Sequence, residues 1–520
     1  MNNKEGNYRL LIVNQLRPEF TLDYMLVKGL RNYRKILLKS YPEMEKWLPQ
    51  QTFDIDPIWP ERVQVKFRGY GVSTPGSFLA DNLKTPTDVV YGDISSNQVI
   101  AKLQEAKEEG FPYTHVGFSI FVTGYTNFKE TSQVVKQYDP KIITIAGNVG
   151  SLFPGTEDYV DLVCRGDGVP YLRNLFGEQS SQEYRLEVIP AKSMISVNGI
   201  SLESDLAQLV TKLGCVNNCD FCITRQLFDN HFSGALFTPQ QVHDKLVEYR
   251  RTIKKDFHIM FCEPQGIVNK NWWYELFDLF NDEPEDYPVI VPTSLVSIKN
   301  FDLDRISRSS LRFMGLNVGI ESFTQDYAKN IKHSETKQIM KRLTDYGIGV
   351  YGTFIIGFDH QTRESIWEEI ERVVDLDLYA ITVHNLKVLP QTPLWHEFEK
   401  EGRLLNVPYD FYYVEGFQAF THPHFKPGFE DMLPLTNDIY EYIEKERGPQ
   451  VLSLMELLGN VPNQRNVFRR QIKQYRIMAK QLFSSWKKYL DPSREQIEKY
   501  MSRLGIKIEL ESYPLITEVQ

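Results

Sequence analysis

Three of the chain's five cysteines fall within eight positions, at Cys215, Cys219 and Cys222, in the stretch GCVNNCDFCITRQLF (214–228). Thiolates are the usual ligands of zinc and of iron–sulfur clusters. A structural zinc site closes four protein ligands around the metal, often from two paired knuckles. There is no second knuckle here. Cys164 and Cys262 stand alone, and the nearest histidine, His231, is nine residues past Cys222. Three thiolates with an open fourth position suit a metal that must bind something else. Three other readings stay open: buried thiols with no metal, a zinc-stabilised interaction protein, and an electron-transfer or scaffold iron–sulfur protein.

The elements that must hold this loop alternate between strand and helix. An apolar strand over 206–213 leads into the loop, and a polar helix follows at 239–252 with Thr238 as its N-cap. Further strands are expected at 258–264, 288–296, 312–320, 350–357 and 380–389, with an acidic helix at 364–376. In parallel barrels, catalytic residues come from the carboxyl ends of the strands. The first half has the same rhythm. Strands are expected at 8–14, 114–122, 141–146 and 161–164, with helices at 97–109 and 129–138. Strands apolar on both faces indicate a doubly wound parallel sheet. Its ligands sit at the strands' carboxyl ends, where Gly117, Ser119, Thr123, Gly147, Asn148 and Gly166 fall. Residues 15–85, rich in proline, glycine and aromatics, read as extended or irregular, and 178–200 as a polar connection with a short extended piece.

Composition bounds the class. A chain of 520 residues predicts two or three domains, and 42% hydrophobic content predicts real cores. No apolar run is long enough to span a bilayer, and the N-terminus lacks a signal-peptide pattern, so a cytoplasmic protein is expected. Clustered rather than dispersed cysteines argue against a disulfide framework. A net charge of −9 argues against general nucleic-acid binding. Residues 465–490 carry eight Lys or Arg, no acid, and apolar side chains at helical spacing from Phe468 to Leu490. Two readings fit: peripheral contact with an anionic membrane, or a helix docked on the protein with a solvated basic face.

The CxxxCxxC spacing, with Phe221 before the last cysteine, resembles the signature of the radical SAM superfamily. There, three cysteines hold a 4Fe–4S cluster whose fourth iron binds S-adenosylmethionine (SAM), and one-electron reduction yields a 5′-deoxyadenosyl radical. The resemblance implies Cys215, Cys219 and Cys222 as cluster ligands. Glu263-Pro264 matches the end of a GGEP element, with Phe261 and Cys262 in place of its glycines. Gly319-Ile320-Glu321-Ser322 matches a GIES element, and 350–357 matches a GxIxG strand, with Gly352 and Gly357. On that pattern Glu263 meets the SAM ammonium, Glu321 and Ser322 its ribose or carboxylate, and the glycines its adenine. Cys262 is read as a small buried filler, and Lys332 as a surface residue. The stretch 389–394, LPQTPL, resembles a PGTP turn with Gln391 in place of the glycine.

The first half resembles the cobalamin-binding domain that precedes one large subclass of the superfamily. The matching positions are Val116-Gly117-Phe118-Ser119, Ala146-Gly147-Asn148 and Arg165-Gly166-Asp167-Gly168, the last two altered from the family's GG and GEGE turns. His115 is the sole histidine in the first 200 residues and lacks a DxHxxG context, so bound cobalamin would have no histidine on cobalt. The expected architecture is α/β: a Rossmann-like sheet (1–200), a partial (β/α) barrel of the radical SAM type (201–405) and a helical C-terminal extension (406–520). The resemblance implies hydrogen abstraction from an unactivated carbon of a small-molecule or lipid-like substrate, with electrons from a donor such as flavodoxin or ferredoxin. With cobalamin the outcome is methylation. Without it, the outcome is cyclisation, carbon–carbon coupling or rearrangement.

Overall fold

The computed structural model describes residues 8–14, 42–47, 65–71, 74–91, 94–197, 200–253, 257–323, 332–450, 477–484, 486–488 and 490–503. Most of 15–64, and 465–476 of the basic helix, lie outside the described residues. The strands, in chain order, are β1 (Leu10–Asn14), β2 (Val65–Gly71), β3 (Thr87–Tyr91), β4 (His115–Ser119), β5 (Ile143–Gly147), β6 (Leu162–Val163), β7 (Ile189–Val197), β8 (Ile200–Leu209), β9 (Phe257–Phe261), β10 (Tyr287–Ser294), β11 (Leu311–Glu321), β12 (Gly349–Ile356) and β13 (Ala380–Asn385).

The first sheet is parallel, in the order β3-β1-β4-β5-β6. The chain adds β3 on one side of β1 and the later strands on the other, so the order reverses between β1 and β4. A crevice opens at the carboxyl ends of strands at such a point, here beside Asn14 and Ser119. One face of the sheet packs Leu10, Ile12 and Ile145 against Leu172 and Phe176. The other packs Val13, Val116 and Phe118 against Leu103, Phe128 and Val135 of the helices Ser96–Glu108 and Tyr125–Tyr138.

The second sheet runs β13-β12-β11-β10-β9-β8-β7-β2. From β8 to β13 neighbours are parallel and consecutive, as expected of βα units joined by right-handed crossovers. Helices cover one face: Leu246, Trp273, Met340 and Ile370 bury against Ile259, Val289, Val318 and Val350. Thr238 caps its helix through a box with Gln241, as its sequence predicts. Two strands at the sheet's edge depart from the sequence reading. β7 is antiparallel to β8, and β2 is antiparallel to β7. The connection over 178–200 therefore contains a nine-residue strand, and 65–71 contributes to the second sheet. Helix Thr74–Asp81, within a stretch read as irregular, returns to the first sheet. There Gly76 lies so close that a Cβ would sit 2.8 Å from Val89 Cγ1.

The extension wraps both sheets. Residues 405–420 pack on the first sheet's helices, while Ile439 and Ile443 of helix Met432–Arg447 join the core of the second. In the described part of the basic helix, Met478, Leu482 and Trp486 are buried, and Trp486 Nε1 donates to the Glu444 carbonyl at 2.7 Å. This favours the docked reading for 477–490, because the apolar stripe that a bilayer would take is already against protein. Among the described residues no helix is long and apolar enough to cross a membrane.

Candidate active site

The cysteine loop leaves the carboxyl end of β8. A returning segment closes its stem: Leu213 N–H donates to Ser233 Oγ (2.9 Å), Ser233 N–H to the Leu213 carbonyl (3.0 Å) and Leu236 N–H to the Thr211 carbonyl (2.9 Å). Gly214 has φ 79°, and a Cβ there would lie 2.1 Å from the His231 carbonyl oxygen. Only glycine fits the position ahead of Cys215. Cys222 N–H donates to the Cys219 carbonyl (3.3 Å), and Leu394 N–H donates to the Asp220 carbonyl (3.2 Å), which ties the loop to the turn after β13. Phe221 meets Phe358 edge-on at 6.2 Å.

All three thiols are half-buried. Cys215 Sγ accepts from Asn217 N–H at 3.4 Å, and Cys222 Sγ donates to Thr224 Oγ1 at 3.5 Å. Three thiols on one short loop at the end of a parallel strand are a donor set of the right chemistry for an iron–sulfur cluster. Among the described residues no three His, Cys, Asp or Glu side chains converge as they would on a metal ion.

Glu263 follows β9 and is 2% exposed. Its Oε1 accepts from Thr211 N–H (2.7 Å) and from Thr211 Oγ1, while Oε2 is buried with no hydrogen-bond partner among the described residues. A buried carboxylate oxygen left unpaired is costly, so an incoming cation or N–H donor is strongly favoured there. Beside it, Lys212 Nζ lies 3.2 Å from Thr211 Oγ1 and 4.6 Å from the Trp272 ring centroid. Burial pushes this lysine's pKa down, and Glu263 opposes the shift. Cys262 packs 4.0 Å from Thr74 Oγ1, and burial pushes its thiol up to about 12.

At the ends of β11 and β12 the residues divide. Glu321 is half-buried, with φ 66° at a register shift between the two strands. Such a conformation costs roughly 1–3 kcal/mol in a non-glycine residue and persists only where its surroundings fix it. Ser322, expected to contact a ligand, is instead fully buried, its hydroxyl donating to Glu369 Oε1 at 2.7 Å. Gly352 also has a packing explanation, since a Cβ would sit 2.8 Å from Leu378 Cδ1 and 3.2 Å from Phe354 Cε2. Gly357 has φ 89° at the strand-end turn, where Gln361 Oε1 accepts from its N–H at 2.7 Å. Lys332 is exposed ahead of helix His333–Asp345.

A cavity of about 640 Å³ joins the carboxyl ends of the two sheets. Gly117, Ser119, Gly147 and Gly166 line its first-sheet side, and Gln208, Met260, Cys262, Glu263 and Pro264 its second-sheet side, with Gly214 at the root of the cysteine loop. Phe221, Glu321, Ser322, Gly352 and Gly357 do not line it. At Gly117 a Cβ would meet only Leu10 Cδ1, at 3.6 Å, and at Gly166 nothing within 4 Å. The missing side chains thus leave open space, as a cradle for a flat ligand requires. Both altered turns are held by side chains of their own. Asn148 takes φ 63° and bonds Ser119 Oγ through Nδ2 (3.2 Å). Asp167 caps helix Gly168–Leu175 by accepting from Val169 N–H (2.9 Å). His115 lies at the other end of β4, between Tyr8 and Phe176, with Nδ1 2.8 Å from Thr114 Oγ1.

Sequence reasoning missed several polar groups that the fold brings together. Asp410 of the extension is fully buried and accepts from Thr126 N–H (3.2 Å) and Oγ1 (2.7 Å), capping helix Tyr125–Tyr138, which lacks a side-chain cap of its own. Burial raises its pKa to about 6. Glu415 lies 3.2 Å from both His384 Nδ1 and Lys387 Nζ at the end of β13, and burial lowers the His384 pKa to about 4. Gln361 and Glu369 were also missed. Glu369 had a signal: it lies on the apolar face of its helix, among Ile366, Ile370 and Val373.

The family model of the radical SAM superfamily matches residues 209–373, from the end of β8 through the helix after β12. Over these residues the chain matches the radical SAM superfamily. A hopanoid C-2 methylase of Rhodopseudomonas palustris (strain TIE-1) is 22% identical over 270 residues, covering 50% of this chain and 49% of that relative. A Methanocaldococcus jannaschii protein provisionally described as a methylthiotransferase is 22% identical over 202 residues, covering 35% of this chain and 42% of its own length. The chain thus spans about half the length of the curated relatives it matches or less. Among solved structures, the cobalamin-dependent SAM radical enzyme OxsB, with aqua-cobalamin and SAM bound, superposes with a TM-score of 0.54 at 13% identity, covering 96% of this chain and 75% of OxsB. The shared fold therefore includes both the first sheet and the radical SAM sheet.

Proposed function

We propose that this radical SAM protein methylates a carbon of a small-molecule or lipid-like substrate, using a 4Fe–4S cluster, SAM and cobalamin. The observation that carries the reading is the cavity that runs from the glycine-lined strand ends of the first sheet to Glu263 and the root of the cysteine loop. The matched superfamily, the OxsB-like fold and the methylase relative support it.

Cys215, Cys219 and Cys222 would hold the cluster, and Gly117, Ser119, Gly147 and Gly166 would flank the cobalamin. When bound, these groups supply one-electron reduction of SAM and a carrier for the methyl group. The chain's own residues bind and orient. Glu263 Oε2 is the acceptor for the SAM ammonium, a charge-assisted contact. Glu321 is the acceptor for ribose hydroxyls, since its negative charge disfavours the SAM carboxylate. Phe221 shields the cysteine loop through Phe358. A substrate seated in the cavity displaces its water, which protects a reactive carbon radical from side reactions. The reading is tested by anaerobic reconstitution with iron and sulfide, incubation with hydroxocobalamin and desalting. One retained equivalent of cobalamin and SAM cleavage to 5′-deoxyadenosine are expected. Failure to retain cobalamin, with SAM cleavage intact, would leave a cobalamin-independent radical reaction.

A further inference from the structure

Ser322 and Gly357, from the ends of two neighbouring strands, meet through one buried chain of hydrogen bonds. Ser322 Oγ donates to Glu369 Oε1 (2.7 Å), and Gln361 Nε2 donates to Glu369 Oε2 (3.2 Å). Gln361 Oε1 in turn accepts from Gly357 N–H (2.7 Å) and Phe358 N–H (3.0 Å). Ser322 and Gln361 are fully buried and Glu369 is 5% exposed. The two backbone donors fix the orientation of the Gln361 amide, so its NH₂ must face the Glu369 carboxylate.

We infer that Glu369 and Gln361 are positioning residues for the nucleoside half of SAM, acting through Glu321 and the Gly357 turn. This rests on the proposed ribose contact of Glu321. Glu321 sits at φ 66° immediately before Ser322, and a left-handed non-glycine residue is held only if its flanks are pinned. Ser322 supplies that pin through Glu369. The same carboxylate, through Gln361, sets the turn at Gly357 and Phe358. Phe358 meets Phe221 of the cysteine loop, so the bridge also sets the distance from the nucleoside to the cluster loop.

The polarity of the chain gives a reciprocal test. In E369Q, the remaining amide oxygen still accepts from Ser322, but the new NH₂ faces the NH₂ of Gln361. In Q361E, two carboxylates face each other. In the double variant Q361E/E369Q every donor in the bridge again meets an acceptor. The carboxylate now at position 361 accepts from Gly357, from Phe358 and from the amide NH₂ at position 369, whose oxygen accepts from Ser322.

The probes are SAM and its 2′,3′-dideoxyribose analogue, titrated into the reconstituted full chain. The parent prefers SAM. Each single variant is expected to weaken SAM binding about tenfold and to shrink that preference, with iron content unchanged. The double variant is expected to restore both to within about threefold. A single variant that folds and keeps the parent preference overturns the inference, as does a folded double variant without it. If the singles fail to fold, the double variant alone decides. A parent that binds SAM with no ribose preference would instead sink the Glu321 contact on which the inference rests.

Discussion

The backbone N–H of Thr211 lies 2.7 Å from one oxygen of Glu263, whose other oxygen is buried without a partner among the described residues. Thr211 thereby fixes the orientation of the carboxylate at the cavity wall. Glu263→Gln removes the charge and can present an NH₂ to the SAM ammonium. A lost hydrogen bond to a charged group is worth roughly 1.5–3 kcal/mol, so SAM affinity should fall about 10- to 150-fold while the iron content stays constant. Calorimetric titration of the reconstituted protein reads this directly. An unchanged dissociation constant would place the ammonium elsewhere.

Gly214→Ala should lose the cluster without touching a cysteine. A Cβ at 2.1 Å from the His231 carbonyl cannot be accommodated by side-chain motion, since the obstacle is backbone. The φ of 79° adds a cost of about 1–2 kcal/mol for any L-side chain. Iron and sulfide content after reconstitution should drop by more than half. Full content would show that the stem tolerates rearrangement.

Gly117→Leu tests the cradle. The space beyond its Cβ is open, so the side chain should project into the cavity rather than strain the sheet. Retained hydroxocobalamin should fall at least about tenfold, given overpacking costs of about 1–3 kcal/mol, while the 4Fe–4S absorbance stays. Equal retention by parent and variant would exclude cobalamin from this wall.

Asp410 gives a pH dependence. Its folded pKa, raised to about 6, exceeds the ordinary 3.8. The folded state therefore binds the proton more tightly than the unfolded state. The stabilisation is fully present below about pH 4 and is lost as pH rises through about 6, amounting to about 3 kcal/mol over the window. Asp410→Asn, which keeps an acceptor for Thr126, should flatten this part of the profile. Urea midpoints of parent and variant across pH 4–7 would show it. A constant difference between them would rule out titration of Asp410 there.

The cysteine spacing, the alternation of strands and helices and the glycines at strand ends were legible because each reflects a local rule. Thiolate number, strand apolarity and backbone access are all written in adjacent residues. The edge strand Val65–Gly71 was missed although Val65-Lys66-Phe67-Arg68 alternates apolar and charged residues, because its partner Ile189–Val197 lies more than a hundred residues away and lacks that alternation. Ser322 read as a ligand contact because its neighbours match a motif. Its partner in the fold, Glu369, arrives from a helix two elements later. Gln391 shows the reverse case: it stands where the motif has glycine, yet holds φ 68° itself. Asn148 does the same at the altered turn of the first sheet. A left-handed backbone at these positions therefore does not require the glycine that the motif has there.

The central claim is that three cysteines on one loop carry a cluster that cleaves SAM. The direct measurement is 5′-deoxyadenosine formed under reducing, anaerobic conditions by the reconstituted parent, by Cys219→Ala, and by Cys164→Ala and Cys262→Ala. The account predicts product from the parent and from the last two variants. It predicts none from Cys219→Ala, which should also lose iron. Cys219→Ala with full iron content and undiminished SAM cleavage would contradict it.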